Sequence, residues 1–145
     1  MQASRSLKLP ARQSSVRPLA LLAVDSEEVR AEYTYALSAT GFDVDAYDAA
    51  PHRSNPPNAR PSIIVVDVSA ERGGWLIVQR LKRDPGTRNI PVVALVAVVG
   101  VETLEHARRE GCVAVCLATC PPPALAAGLR GVLERAGRTA TSARP

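Results

Sequence analysis

The segment Ser62-Ile63-Ile64-Val65-Val66-Asp67 decides the fold. Its β-branched run lacks the alternation of a half-exposed strand, so it reads as a strand buried on both faces, the kind found in parallel sheets covered by helices on each side. It stops at an acid. A second run of this kind, Leu19-Ala-Leu-Leu-Ala-Val24, stops at Asp25. A helical pattern follows the second run at once. Ser26 is an N-cap, Glu27 and Glu28 suit a first turn, and Val29, Tyr33, Ala36, Leu37 and Thr40 recur at helical spacing until Gly41.

Further along, Phe42 to Tyr47 alternates like an edge strand, with Asp43 and Asp45 opposite Phe42 and Val44. Residues 48–61 contain Pro51, Pro56, Pro57 and Pro61, so a second crossover helix is short or missing. After the Gly73-Gly74 turn, Trp75, Val78 and Leu81 share a helical face, which Asp84-Pro85-Gly86 ends. Pro91 to Ala97 is the next strand. A helix from about Val101 to Glu110 presents Val101, Leu104 and Ala107 to the core and closes at Gly111. Val113 to Leu117 is the fifth strand, and Pro121-Pro122-Pro123 leads into a last helix through about Arg135. Such alternation predicts an α/β, doubly wound, five-stranded parallel sheet in the flavodoxin-like order 2-1-3-4-5. Strands one and three are then neighbours, and ligands bind at their carboxyl ends, where Asp25 and Asp67 fall.

The 145 residues suffice for one domain, 18–135, flanked by flexible basic tails at 1–17 and 136–145. Hydrophobic residues make up 46% of the chain, yet only five are aromatic, so the core must pack aliphatic side chains. The formal charge of +4 belongs to the ends. Residues 1–18 carry Arg5, Lys8, Arg12 and Arg17 without an acid, and 135–145 carry Arg135, Arg138 and Arg144 without an acid. The body is left at −3, with 11 bases and 14 acids. A nucleic-acid partner needs a clustered basic face, so none is expected. The first tail has a composition shared by transit peptides and disordered bacterial tails. No run approaches the roughly 18 apolar residues of a membrane span, and a cytoplasmic protein is expected.

Cys112, Cys116 and Cys120 recur every four residues but lack a second ligand arm, and they read as small buried hydrophobes rather than a metal site. His52 and His106 belong to no hydrolase motif and read as surface histidines. Trp75 reads as a packing residue. Nucleotide binding in such a fold requires a Gly-rich first turn, whereas Val24-Asp25-Ser26-Glu27-Glu28 carries three carboxylates, so an anion approaches only with a divalent cation such as Mg²⁺.

Several blocks, in order across residues 18–135, resemble the receiver domains of response regulators in two-component signalling. They are Leu22-Ala-Val-Asp-Ser-Glu-Glu-Val-Arg30, Arg60-Pro-Ser-Ile-Ile-Val-Val-Asp67, Gly74-Trp75 with Leu81-Lys82, and Asp84-Pro-Gly-Thr-Arg-Asn-Ile-Pro-Val-Val-Ala-Leu95. The resemblance implies that Asp67 accepts a phosphoryl group from a histidine kinase or phosphotransfer protein. It also implies that Asp25, Asp67 and the Ser69 backbone carbonyl hold Mg²⁺. A carboxylate nucleophile beside a charge-neutralising metal suits phosphoryl transfer.

The chain departs from the family at four places. Val24 stands where a second acid is usual, and Val96 stands at the hydroxyl position ending strand four. Ala118 replaces a lysine, and Thr119 follows it in place of proline. The loop from Val68 to Gly74 is a residue short and lacks proline. Two functions are therefore carried forward: a divergent stand-alone receiver phosphorylated on Asp67, and a pseudo-receiver adaptor that works by binding alone. Either signals by protein contact, which the resemblance places on Val101 to Arg135. A Mg²⁺-dependent aspartyl enzyme would want a second Asp at Ser69 and a general acid, so an enzyme is not expected.

Overall fold

The computed structural model describes residues 17–47, 60–69 and 73–142, with side chains through residue 137. Nine elements follow in order. They are β1 (Leu19–Ala23), α1 (Glu27–Ala39), β2 (Asp43–Ala46), β3 (Ile63–Asp67), α2 (Gly74–Arg83), β4 (Val92–Val96), α3 (Val101–Arg109), β5 (Ala114–Leu117) and α4 (Pro122–Ser142). The strands form one sheet in the order β2-β1-β3-β4-β5, every pair parallel. This is the flavodoxin-like order 2-1-3-4-5 expected for the doubly wound sheet.

Residues Ile63 to Val66 of β3 and all of β4 are buried, as is β1 after Leu19, because helices cover both faces of these three strands. Successive side chains alternate between two apolar layers. Ala20, Leu22, Val24, Ile63, Val65, Val93 and Leu95 face Tyr33 and Leu37 of α1 and Leu125 and Leu129 of α4. On the other face, Leu21, Ala23, Ile64, Val66 and Val92 meet Val78 and Leu81 of α2. Each fully buried aliphatic side chain contributes about 2 kcal/mol of transfer free energy. The layers thus supply the driving force that the few aromatic residues cannot.

Local signals set the ends of α1 as expected. The Ser26 hydroxyl accepts from the Val29 N–H at 3.2 Å, and Gly41, at φ 102°, turns the chain so that Phe42 N–H reaches the Leu37 carbonyl. From α4, Arg130 stacks over the Phe42 ring and donates to the Thr40 carbonyl, tying α4 to α1.

Three boundaries or faces differ from expectation. The last helix continues to Ser142 rather than ending near Arg135, since no proline intervenes before Pro145 to break it. Arg17, assigned to the basic tail, is part of the domain: its guanidinium donates to the Ser38 and Phe42 carbonyls, both at 2.8 Å, and pairs with Asp43 at 3.4 Å. The expected short or missing crossover helix falls on residues 48–59, outside the described residues. Of the three α3 residues assigned to the core, only Ala107 is buried, while Val101 is 73% and Leu104 42% exposed. Periodicity had identified a shared face. It could not say that α3 packs on β5, the edge strand, with Val101 and Leu104 left exposed.

Candidate functional site at the carboxyl ends of the central strands

Asp67 is the last residue of β3, paired with Leu95 of β4, and Val68 N–H donates to the Leu95 carbonyl at 2.9 Å. By alternation it follows Ile63 and Val65 toward the layer of α1 and α4, and it is half-buried. Ala23 pairs with Val66, so Val24 and Asp67 leave the sheet at one level, with Asp25 one residue beyond. Val24 is buried against the core, while Asp25 is exposed. The topology therefore brings the two predicted acids to the ends of neighbouring strands.

The Asp67 carboxylate is held by its own loop. Oδ1 accepts from the Ser69 N–H at 2.9 Å and from the Ser69 hydroxyl at 2.5 Å, the capping of a following turn that Asp often performs. Opposite this loop, α2 begins at close quarters. A Cβ on Gly74 would lie 2.5 Å from the Asp67 carbonyl oxygen and 2.8 Å from Val68 Cα, so only glycine lets the helix approach.

Val96 is the last residue of β4 and is buried. Ala118 follows β5, its N–H donating to the Val96 carbonyl at 2.7 Å. These two positions lie at the carboxyl ends of their strands, as expected, and offer no polar side-chain atom. Thr119 is exposed beside them.

Two polar side chains not identified from the sequence stand around the site. Tyr33, buried in α1, donates its hydroxyl to the Ala118 carbonyl at 3.1 Å. Burial raises its pKa first, with smaller contributions from Cys120, Asp67 and Cys116, so it remains a hydrogen-bond donor across the physiological range. Arg30, one helical turn in from Ser26, donates to the Val24 carbonyl at 2.7 Å. A tyrosine in an otherwise aliphatic helical stripe was the available signal, because a buried phenol usually finds an acceptor.

The remaining candidates lie apart. Cys116 and Cys120 pack toward the α1 and α4 layer and Cys112 toward the α2 layer, all half-buried and free. Burial pushes the Cys112 thiol up to about 11, as suits a small hydrophobe. His106 is half-exposed, edge-on to half-buried Trp75 at 4.2 Å and 3.9 Å from Glu110. His52 lies outside the described residues. An apolar groove of about 560 Å³ opens between α1 and the start of α4, lined by Tyr35, Ala36, Ala39, Pro122 and Pro123, and it does not include Asp67. Among the described residues no helix is long and apolar enough to cross a membrane, and no three His, Cys, Asp or Glu side chains are grouped to hold a metal.

Sheet order, crossovers and a strand-end acid together define a protein with the receiver-domain fold, and comparison with solved structures agrees. The chemotaxis response regulator CheY4 of Vibrio cholerae, solved at low pH, superposes with a TM-score of 0.71 at 19% identity, over 81% of this chain and 99% of that one. The signal receiver domain of a histidine kinase from Syntrophus aciditrophicus gives 0.65 at 22% identity, over 81% and 90%. The Mn²⁺-bound form of response regulator Rcp1 gives 0.56 at 17% identity, over 69% and 80%. No family model and no curated protein matches the sequence.

Proposed function

We propose that this chain is a receiver-type signalling module of a phosphorelay, in which Asp67 accepts a phosphoryl group from a histidine kinase or phosphotransfer protein and the output passes by protein contact. The observation that carries this is the placement of Asp67 at the end of the central strand with Asp25 at the end of its neighbour. In the transfer, an Asp67 carboxylate oxygen attacks phosphorus, an acyl phosphate bond forms, and the phosphorus–nitrogen bond of the donor phosphohistidine breaks. Its electron pair leaves on the imidazole.

The donor set suits Mg²⁺ in kind, since that ion is held by one or two carboxylates and keeps several waters. Asp25, Asp67 and the Ser69 carbonyl would hold it, and it would neutralise charge on the transferring group. Val24 supplies no third acid, so binding is expected to be weak. The chain's own residues do the rest: β3 holds the nucleophile rigid, and Gly74 keeps its backbone in place.

The output face is proposed on Val101 to Arg135. Val98, Val101, Leu104, Val113 and Leu117 are exposed along α3, β5 and the adjoining turn, an apolar surface that suits a protein partner. The module is expected to be cytoplasmic, to act without an enzymatic activity of its own, and to bind neither nucleic acid nor membrane. The tails at 1–17 and 136–145 are proposed as appendages, amended by the roles found for Arg17 and for the end of α4.

A second proposal, a pseudo-receiver adaptor that never takes phosphate, is favoured by Val96 and Ala118, which cannot report a phosphoryl group, and by the Ser69 cap on Asp67. One experiment separates the two. The protein is incubated with Mg²⁺ and acetyl phosphate, and its mass is followed. A gain in wild type that is lost in Asp67→Asn supports phosphorylation. A folded wild type that never gains mass leaves the adaptor.

A further inference from the structure

We propose that the Ser69 hydroxyl is a latch on Asp67, a positioning residue that must turn away before the carboxylate can take a phosphoryl group. This rests on Asp67 being the phosphoacceptor. A carboxylate oxygen has two principal lone-pair directions, and Oδ1 spends both, one on the Ser69 N–H at 2.9 Å and one on the Ser69 hydroxyl at 2.5 Å. Phosphoryl transfer asks for two carboxylate oxygens, one to attack and one to face the cation. With Oδ1 saturated, Oδ2 cannot do both.

The two contacts are not equally removable. The Ser69 N–H is fixed by the chain, whereas the hydroxyl sits on a side chain with three staggered positions and can rotate away. The strand end that carries Asp67 cannot retreat instead. Its backbone is paired with β4 on one side, and the start of α2 lies so close that a Cβ on Gly74 would be 2.5 Å from the Asp67 carbonyl oxygen. Opening therefore falls on the Ser69 side chain, and the closed state is the one observed.

The test uses the full chain as wild type, Ser69→Ala, Ser69→Thr and Asp67→Asn, with acetyl phosphate and Mg²⁺, following mass gain over time. Ser69→Ala should gain mass about tenfold faster than wild type, the low end of what a hydrogen bond to a charged group is worth. Ser69→Thr keeps a hydroxyl and should stay near the wild-type rate, and Asp67→Asn should gain nothing. A Ser69→Ala rate equal to or below wild type overturns the latch.

In parallel, Mg²⁺ alone is titrated against Trp75 fluorescence, which reports on the helix start packed against Asp67. Ser69→Ala should half-saturate at severalfold lower Mg²⁺. If no variant gains mass but Ser69→Ala binds Mg²⁺ more tightly, the phosphoacceptor assignment falls, and with it the latch as a gate on phosphoryl transfer, while the Ser69 hold on the carboxylate against Mg²⁺ stands. If no variant gains mass and the Mg²⁺ curves coincide, both fall. Circular dichroism checks that each variant is folded, and Ser69→Gly replaces Ser69→Ala should the latter not be.

Discussion

The two halves of the strand-end site are built to different standards. On the β1 and β3 side, Asp25 and Asp67 stand at neighbouring strand ends, Ser69 caps the Asp67 carboxylate, and Gly74 lies close against the Asp67 backbone. On the β4 and β5 side, Val96 and Ala118 occupy the corresponding ends with no side-chain donor, and the Ala118 carbonyl is taken by the Tyr33 hydroxyl. A phosphoryl group could thus be received by one half without being registered by the other. Under the proposed function, acceptance would rest on β3 and readout on β4 and β5, so that the two would be free to diverge separately.

The strongest way to break the first half is Gly74→Val. Its side chain would collide with backbone rather than with a flexible neighbour, so the start of α2 or the end of β3 must move. A loss of about 3 kcal/mol is expected by urea unfolding, with any phosphoryl acceptance lost too. Wild-type stability in this variant would show that the close approach is not required.

The second half can be rebuilt rather than broken. Ala118→Lys places an ammonium at the end of β5 and should extend the lifetime of phosphorylated Asp67, or raise its rate of formation, by about tenfold, measured by mass against time. No change would mean that the loop after β5 points away from Asp67.

Tyr33 is the link between the halves, reaching from α1 to Ala118. Tyr33→Phe removes the hydroxyl and leaves the Ala118 carbonyl without that partner, at an expected cost of about 1 kcal/mol. Added to Ala118→Lys, it should loosen the same loop and reduce the gained lifetime.

Cys112 offers a smaller, pH-dependent comparison from the opposite layer. Its thiol sits at about 11 in the fold against 9.0 when unfolded, so the folded state holds the proton longer. Its contribution to stability is therefore complete below about pH 9 and is lost as pH rises toward about 11. Partial exposure limits the loss to about 1 kcal/mol, and Cys112→Ala should flatten that stretch of the stability–pH curve.

The smallest effect on the fold is expected at the outer edge. Val101→Asp and Leu104→Asp should shift stability by no more than about 0.5 kcal/mol, because both positions are exposed, yet they should abolish binding of an α3-directed partner. A large loss of stability would return these residues to the core role that helical spacing suggested.

The sheet was legible because its central strands are buried on both faces, which leaves unbroken apolar runs, and because each run ends abruptly at an acid or a turn residue. Asp67 and Asp25 were legible for the same reason, as charges bounding apolar strands. The partners of Tyr33 and Arg30 were not, since local spacing does not say which element a side chain reaches, even where a tyrosine in an aliphatic stripe signals a buried phenol. Nor did helical periodicity reveal that Val101 and Leu104 face outward, because a repeat defines a stripe without saying what lies beneath it.

By itself the sequence determined the alternation of elements, the doubly wound parallel class of the sheet, and the presence of a carboxylate at the end of β3, all of them consequences of burial pattern and local turn chemistry. Only the tertiary structure decided that Ala118 is bonded through its backbone to Tyr33 and that Val101 and Leu104 of α3 stay exposed, whereas the Ser69 cap on Asp67 is one that local turn chemistry allows. The Tyr33 bond and the exposure of α3 depend on distances between atoms that chain order does not bring together.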